Sequence, residues 1–125
     1  MAFTITIDPN EKYKLAAYLK QHHTGKEKAA KKRELLSAMY GQDAAKDESY
    51  NNMLDRKVRK MIEDLINEGN PICSSSTCGY WYAASLNDGM ESVAENKSRA
   101  ITQLENVKKL EANILAEYGG QMGLL

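Results

Sequence analysis

The sequence predicts a mainly α chain with a small β-hairpin and a long C-terminal helix, and three observations carry that reading. Leu54, Val58, Met61, Ile62 and Leu65 recur at three- and four-residue steps, which places them on one face of a helix. Two short runs of strand-forming residues, Pro71-Ile72-Cys73 and Tyr80-Trp81-Tyr82, flank the polar stretch Ser74-Ser75-Ser76-Thr77 and Gly79, as the arms of a hairpin flank its tip. From Leu86 to Tyr118 there is no proline, and Leu86, Val93, Ala100, Val107 and Ile114 repeat every seventh residue.

Taken in order, Phe3 to Ile7 alternates apolar and polar residues, the pattern of a short strand that pairs within the chain or with a second copy. Asp8, Pro9 and Glu11 form a helix start, with Asp8 as N-cap, Pro9 in the first turn and Glu11 reaching back as a capping box. Leu15, Tyr18 and Leu19 form the buried stripe of this helix, which frays at His22-His23. Pattern alone extends a second helix from Thr24-Gly25-Lys26-Glu27 to Tyr40, with Leu35, Leu36 and Met39 inward and Gly41 as its stop. Gln42 to Tyr50 is a polar connection with Asp47 and Ser49 as candidate caps. The helix that follows, 51–68, turns Asn52, Arg56, Arg59, Lys60 and Glu63 away from its apolar face and closes at Gly69, with Pro71 unable to continue it. Ser85 and Asp88 cap the last helix, and Met90, Leu104 and Tyr118 fill the positions that partner its heptad stripe. Lys97 and Glu111 interrupt those positions. Gly119-Gly120 is the expected end, followed by a loose tail.

At 125 residues the chain suits one domain with an accessory element, here 1–84, 85–118 and a tail 119–125. Seventeen basic residues balance seventeen acidic ones, which counts against a generic polyanion binder that works by bulk positive charge. The distribution is uneven: residues 1–84 hold thirteen Lys/Arg and eleven Asp/Glu, whereas residues 85–125 hold four and six. No apolar run reaches the ~20 residues of a membrane span, and the start lacks the pattern of a signal peptide, so a cytoplasmic protein without membrane contact is expected. Cys73 and Cys78 are then expected as free thiols. With His22 and His23 they do not have the spacing of a zinc site, so neither a metal nor a cofactor is expected. No spacing assembles a nucleophile, base and oxyanion set, and there is no phosphate-cradling glycine loop, so enzymatic activity is not expected.

The stretch DRKVRKMIEDLINEGNPICSSSTCGYWYA resembles the recognition helix and wing of winged helix-turn-helix domains of the biotin-repressor N-terminal type, above all their small bacteriophage and prophage relatives. The resemblance rests on Asp55, Arg56, Arg59, Leu65, Gly69, Pro71, Ile72, Ser74, Ser75, Ser76, Gly79, Tyr80 and Tyr82. It also covers His22 to Glu27, and implies that Lys28 to Ala30 is extended and that the second helix is confined to Arg33–Tyr40. Where the family pattern has a Ser or Thr cap, this chain has Lys31. No ligase portion is present, so no biotin chemistry is implied.

Such a fold places helix 51–68 in the major groove of double-stranded DNA. Asn52, Arg56 and Arg59 are the candidate base-reading residues, since arginine donates twice to guanine and asparagine pairs twice with adenine. Lys26, Lys28, Lys31, Lys32, Arg33, Lys57 and Lys60, with Ser74, Ser75, Ser76 and Thr77 at the hairpin, are candidates for the phosphate backbone. Asp55 and Glu63 have the four-residue spacing to orient the arginines. The function expected is that of a transcriptional regulator or replication accessory factor; the alternative is a protein-interaction adaptor without DNA binding. The last helix either packs on its own domain or joins a homodimer. In the second case two recognition helices ~34 Å apart would read an inverted repeat.

Overall fold

The computed structural model describes residues 7–41 and 48–122, with side chains described over 7–41 and 53–120. It is mostly helical, with one two-stranded antiparallel sheet and a long C-terminal helix. The elements are α1 (Pro9–His22), a 3-10 turn (Lys26–Lys28), α2 (Lys32–Tyr40), α3 (Glu48–Asn67), β1 (Ile72–Ser75), β2 (Gly79–Tyr82) and α4 (Leu86–Met122). Two compact units divide the chain, 1–92 and 93–125. The expected strand at Phe3 to Ile7 lies outside the described residues apart from Ile7, which is half-buried against the core. The polar connection from Gln42 to Asp47 also lies outside them.

The first unit is built around the apolar face of α3. Leu54, Val58, Met61, Ile62 and Leu65 are all buried, and they meet Leu15 and Leu19 of α1, Leu35 and Leu36 of α2, Ala30 and Ile72 in one cluster. The stripes read from spacing are therefore the stripes that pack. Asp8 caps α1 by accepting the Asn10 N–H at 2.9 Å. Glu11, expected to fold back on that cap, instead reaches Lys57 of α3 at 2.8 Å. An ion pair between two helices takes the place of that local bond.

Between α1 and α2 the continuous helix suggested by pattern is absent. Gly25, with a φ of 92°, breaks it, and a 3-10 turn follows. Ala30 is then extended and exchanges both backbone hydrogen bonds with Tyr80 of β2, each 2.8 Å. Gly25 and His23 bond Tyr82 in the same manner, also at 2.8 Å each. Residues 23–30 thus run along the open edge of β2 and satisfy its donors and acceptors, which a helix there would leave unpaired. At Lys31, an ammonium has no lone pair to offer the first turn of α2. Only the reverse bond remains, from the Lys31 N–H to Glu34 Oε1 at 3.4 Å. Gly41, at a φ of 92°, closes α2 as expected.

α3 ends at Asn67, where Gly69 takes a φ of 104° and both the backbone and side-chain nitrogens of Asn70 bond the Leu65 carbonyl at 2.9 Å. The hairpin pairs Ile72 with Tyr82, Cys73 with Trp81, Ser74 with Tyr80 and Ser75 with Gly79, leaving Ser76, Thr77 and Cys78 as its loop. Trp81 is fully buried, outside the main cluster. Its indole Nε1–H donates to Asp88 Oδ2 at 3.0 Å, and the same oxygen accepts the Ala84 N–H at 3.0 Å. Asp88 Oδ1 accepts the Lys26 N–H at 3.3 Å, while Ser85 Oγ accepts the Asp88 N–H at 3.2 Å. One carboxylate therefore ties the edge segment, the hairpin and the start of α4 together.

These donors, the Ala84 amide first, hold the Asp88 carboxyl below its ordinary range despite the opposing cost of burial. A depressed acid adds stability that is complete above the unfolded carboxylate pKa of ~4 and lost as pH falls through the depressed native value. Asp88→Asn removes that dependence and sets an amide N–H or a weaker acceptor against three donors. The thermal midpoint of the variant is therefore expected to fall most relative to the parent at neutral pH, and the gap to narrow below ~pH 4. Thermal melts from pH 3 to pH 8 read this directly.

In the second unit, α4 continues through Gly119 and Gly120 to Met122, past the expected stop. Two glycines weaken a helix by ~1 kcal/mol each but do not bar helical φ and ψ, as a proline would. Val93, Ile101, Leu104, Val107, Leu110, Ile114, Leu115 and Tyr118 are all exposed, between 44% and 58% of their full accessibility. No helix among the described residues is long and apolar enough to cross a membrane.

Candidate nucleic-acid interface

The outward face of α3 follows from its inward one. With Leu54, Val58, Met61, Ile62 and Leu65 fixed in the core, the opposite side of the helix faces outward, and Arg56, Arg59, Lys60 and Glu63 are exposed. Asn52 lies in the first turns of the same helix, and its side chain is outside the described residues. The Arg59 side chain keeps 67% of its accessibility while its Nε lies 3.5 Å from Asp55 Oδ2. That oxygen is shared with Lys32 Nζ, 3.6 Å away on the first residue of α2.

Asp55 is the pivot of this face. Its side chain is only 14% exposed, and its second oxygen, Oδ1, is buried with no hydrogen-bond partner among the described residues. A carboxylate so placed lies between two cations and fixes the direction of both. The expectation that Asp55 orients Arg59 across one helical turn is met; Lys32 joins them from the neighbouring helix. Tyr80 of β2 lies within electrostatic reach of Arg59 and Asp55, and burial raises its phenol above the ordinary tyrosine range. Sequence reasoning did not single out Tyr80 for this face. The alternation Tyr80-Trp81-Tyr82 carried the signal: with Trp81 buried on one side of the strand, its neighbours must face the other.

The cations expected at the DNA backbone divide into two groups. Lys28, Lys31, Lys32 and Arg33 are exposed, and Lys60 is half-exposed, 3.3 Å from Asp64. Lys57 is not on this face. It turns to Glu11 of α1 and lies over the Tyr40 ring, 5.8 Å from its centroid, because position 57 follows Arg56 round the helix onto the flank that packs toward α1. Lys26 is half-buried in the edge segment, where its N–H serves Asp88.

The serine run divides likewise. Ser75 is buried, its hydroxyl 3.1 Å from that of Thr77 and accepting the Thr77 N–H at 3.3 Å. Ser74 sits in β1, and its backbone N–H and carbonyl both engage Ser92 Oγ, at 3.3 and 3.2 Å. Neither belongs to the loop, which begins two residues later than the composition suggested. Ser76 and Thr77 are the exposed members.

The histidines and cysteines do not converge. His23 Nδ1 lies 2.7 Å from the Lys28 carbonyl, both histidine rings pack near Tyr18, and Cys73 and Cys78 are free thiols, the first buried beside Ser92. Among the described residues no three His, Cys, Asp or Glu side chains are grouped to hold a metal ion. Comparison with known protein families, with curated proteins and with solved structures finds no match to this chain.

Proposed function

We propose that the first unit is a winged helix-turn-helix domain and that the protein binds duplex DNA, as a phage or prophage transcriptional regulator or replication accessory factor in the cytoplasm. The observation that carries this reading is the α3 surface. Arg56 and Arg59 stand exposed on a helix whose opposite face is locked in the core, with Lys32 and Arg33 at the start of α2 and a small-tipped hairpin following. The element order supports it too: a helix, an extended segment bonded to the hairpin, two helices and then the hairpin form the sequence of parts such a domain requires. An α-helix fits the major groove, and two arginines fixed by packing from below can each meet a guanine edge. Lys28, Lys31, Lys32, Arg33 and Lys60, with Ser76 and Thr77, supply the phosphate contacts; Lys57, Ser74 and Ser75 are structural. Self-association through α4 would pair two such surfaces on an inverted repeat.

A second reading is favoured by one observation, the pairing of Lys32, Arg59 and Lys60 with the chain's own carboxylates on a protein of zero formal charge. Those pairs reduce the positive potential offered to DNA and suit an adaptor that docks a protein instead. Selection from random duplexes, followed by titration of the selected and a scrambled sequence, separates the two. Arg59→Ala is expected to cost ~1–3 kcal/mol on the selected duplex and little on the scrambled one. Lys32→Ala weakens both alike and lowers the salt slope by about one. Equal losses for the two variants on both duplexes would remove Arg59 from base reading. Failure to enrich any duplex would favour the adaptor.

A further inference from the structure

Most of one face of α4 reads the same in both directions about Leu104; Ala100 and Lys108, four positions to either side, are the pair that does not match. Moving outward from that residue, Val107 answers Ile101 at three positions, Leu115 answers Val93 at eleven, and Tyr118 answers Met90 at fourteen. At seven positions the two interruptions of the stripe answer each other, Glu111 on one side and Lys97 on the other. At 100° per residue all these positions fall within ~60° of the direction of Leu104, on one face of a regular helix. Every apolar member is exposed: Met90 54%, Val93 44%, Ile101 56%, Leu104 55%, Val107 58%, Leu115 45% and Tyr118 52%. Lys97 and Glu111 are exposed with them, and neither belongs to the ion pairs found along α4, where Arg99 turns to Glu95 at 3.4 Å.

We infer that α4 self-associates as an antiparallel pair, with the α4 of a second copy crossing at Leu104. A two-fold axis through that point brings residue 104 + k of one helix level with residue 104 − k of the other. Each of these apolar pairs then meets across the axis, Ala100 of each copy faces Lys108 of its partner, and Lys97 of each copy meets Glu111 of its partner, twice in the dimer. A parallel pair in register stacks Lys97 on Lys97 and Glu111 on Glu111, two like-charge contacts in the middle of an apolar seam. The charges that spoil a heptad read in one direction therefore become complementary when the direction is reversed. The arrangement closes on itself, so it stops at two copies.

This deepens the self-association proposed above and rests on it, and charge reversal tests the orientation separately from the association. Sedimentation equilibrium of the full chain measures the dimer dissociation constant of the parent, of Lys97→Glu, of Glu111→Lys and of the double variant. Circular dichroism of each sample verifies that the helix content is kept. In the antiparallel pair each single variant creates two like-charge contacts and is expected to weaken the dimer about tenfold or more, while the double variant restores it to within about threefold of the parent. In a parallel pair the parent and all three variants carry the same number of like-charge contacts and dissociate alike. That result overturns the orientation and leaves self-association standing. A parent protein that stays monomeric at high micromolar concentration overturns both.

Discussion

Gly79→Ala is expected to unfold the first unit's hairpin edge and lower its stability by ~4 kcal/mol or more, the largest loss for any single added methyl group. Two costs coincide at this position. Gly79 has a φ of 101°, where an L-residue is strained by ~1–3 kcal/mol. A Cβ there would also lie 2.2 Å from the Ala30 carbonyl oxygen, 2.8 Å from its carbon and 3.0 Å from the Lys31 Cα. All three are backbone atoms and cannot swing aside as a side-chain tip would. To make room, the segment that bonds Tyr80 must move away, and both 2.8 Å hydrogen bonds between Ala30 and Tyr80 go with it. Gly41→Ala is the control. Its φ of 92° carries similar strain, but no atom of the described residues lies within 4 Å of its would-be Cβ, so ~1–2 kcal/mol is expected. Urea melts of the two variants beside the parent measure the difference, and equal losses would show that the close approach at Ala30 is not what position 79 protects.

Trp81→Ala follows in size, at ~3–5 kcal/mol. The ring is the largest fully buried side chain in the molecule's described residues, and its removal leaves a cavity between the hairpin and the start of α4 that the rigid β-pairing cannot collapse. The carboxylate of Asp88 loses one of its donors at the same time. For a unit of this size such a loss lowers the midpoint of thermal unfolding by ~15 °C or more. Trp81→Phe keeps most of the packing and loses only the indole N–H, so ~1–2 kcal/mol is expected. A Phe variant as unstable as the Ala variant would move the weight from packing to the Asp88 bond.

The parts of this structure legible in the sequence were those set by local periodicity and by residues with one strong preference. The α3 core stripe, the Asp8 cap, the Gly41 and Gly69 stops and the hairpin arms all depend on neighbours within a few positions. What periodicity could not show was where long side chains reach. Lys57 and Glu11 are 46 positions apart, and only the packing of α1 on α3 brings them to 2.8 Å. Ser74 and Ser75 looked like a polar tip, yet their burial depends on Ser92 and on a turn that starts at Ser76. The extended segment at Ala30 is locally a helical sequence, and it is the open edge of β2 that overrides that preference; the resemblance noted in the sequence placed extended chain at Lys28–Ala30, of which Lys28 instead closes the 3-10 turn. Asp88 was legible as a cap but not as the acceptor for Trp81 and Lys26, since three separate segments converge on it. The candidate interface was legible in its two arginines, which sit opposite a stripe read correctly, and not in Tyr80 or in Lys32 as a partner of Asp55.

The central claim is that the cationic face of α3 meets duplex DNA, and the salt dependence of duplex affinity tests it most directly. Fluorescence anisotropy with a labelled selected duplex, from about 50 to 200 mM salt, is predicted to show affinity falling by two or more orders of magnitude, with a log–log slope reduced when Arg56 and Arg59 are both replaced by alanine. Binding that is absent, or that ignores both salt and the loss of the two arginines, would contradict it.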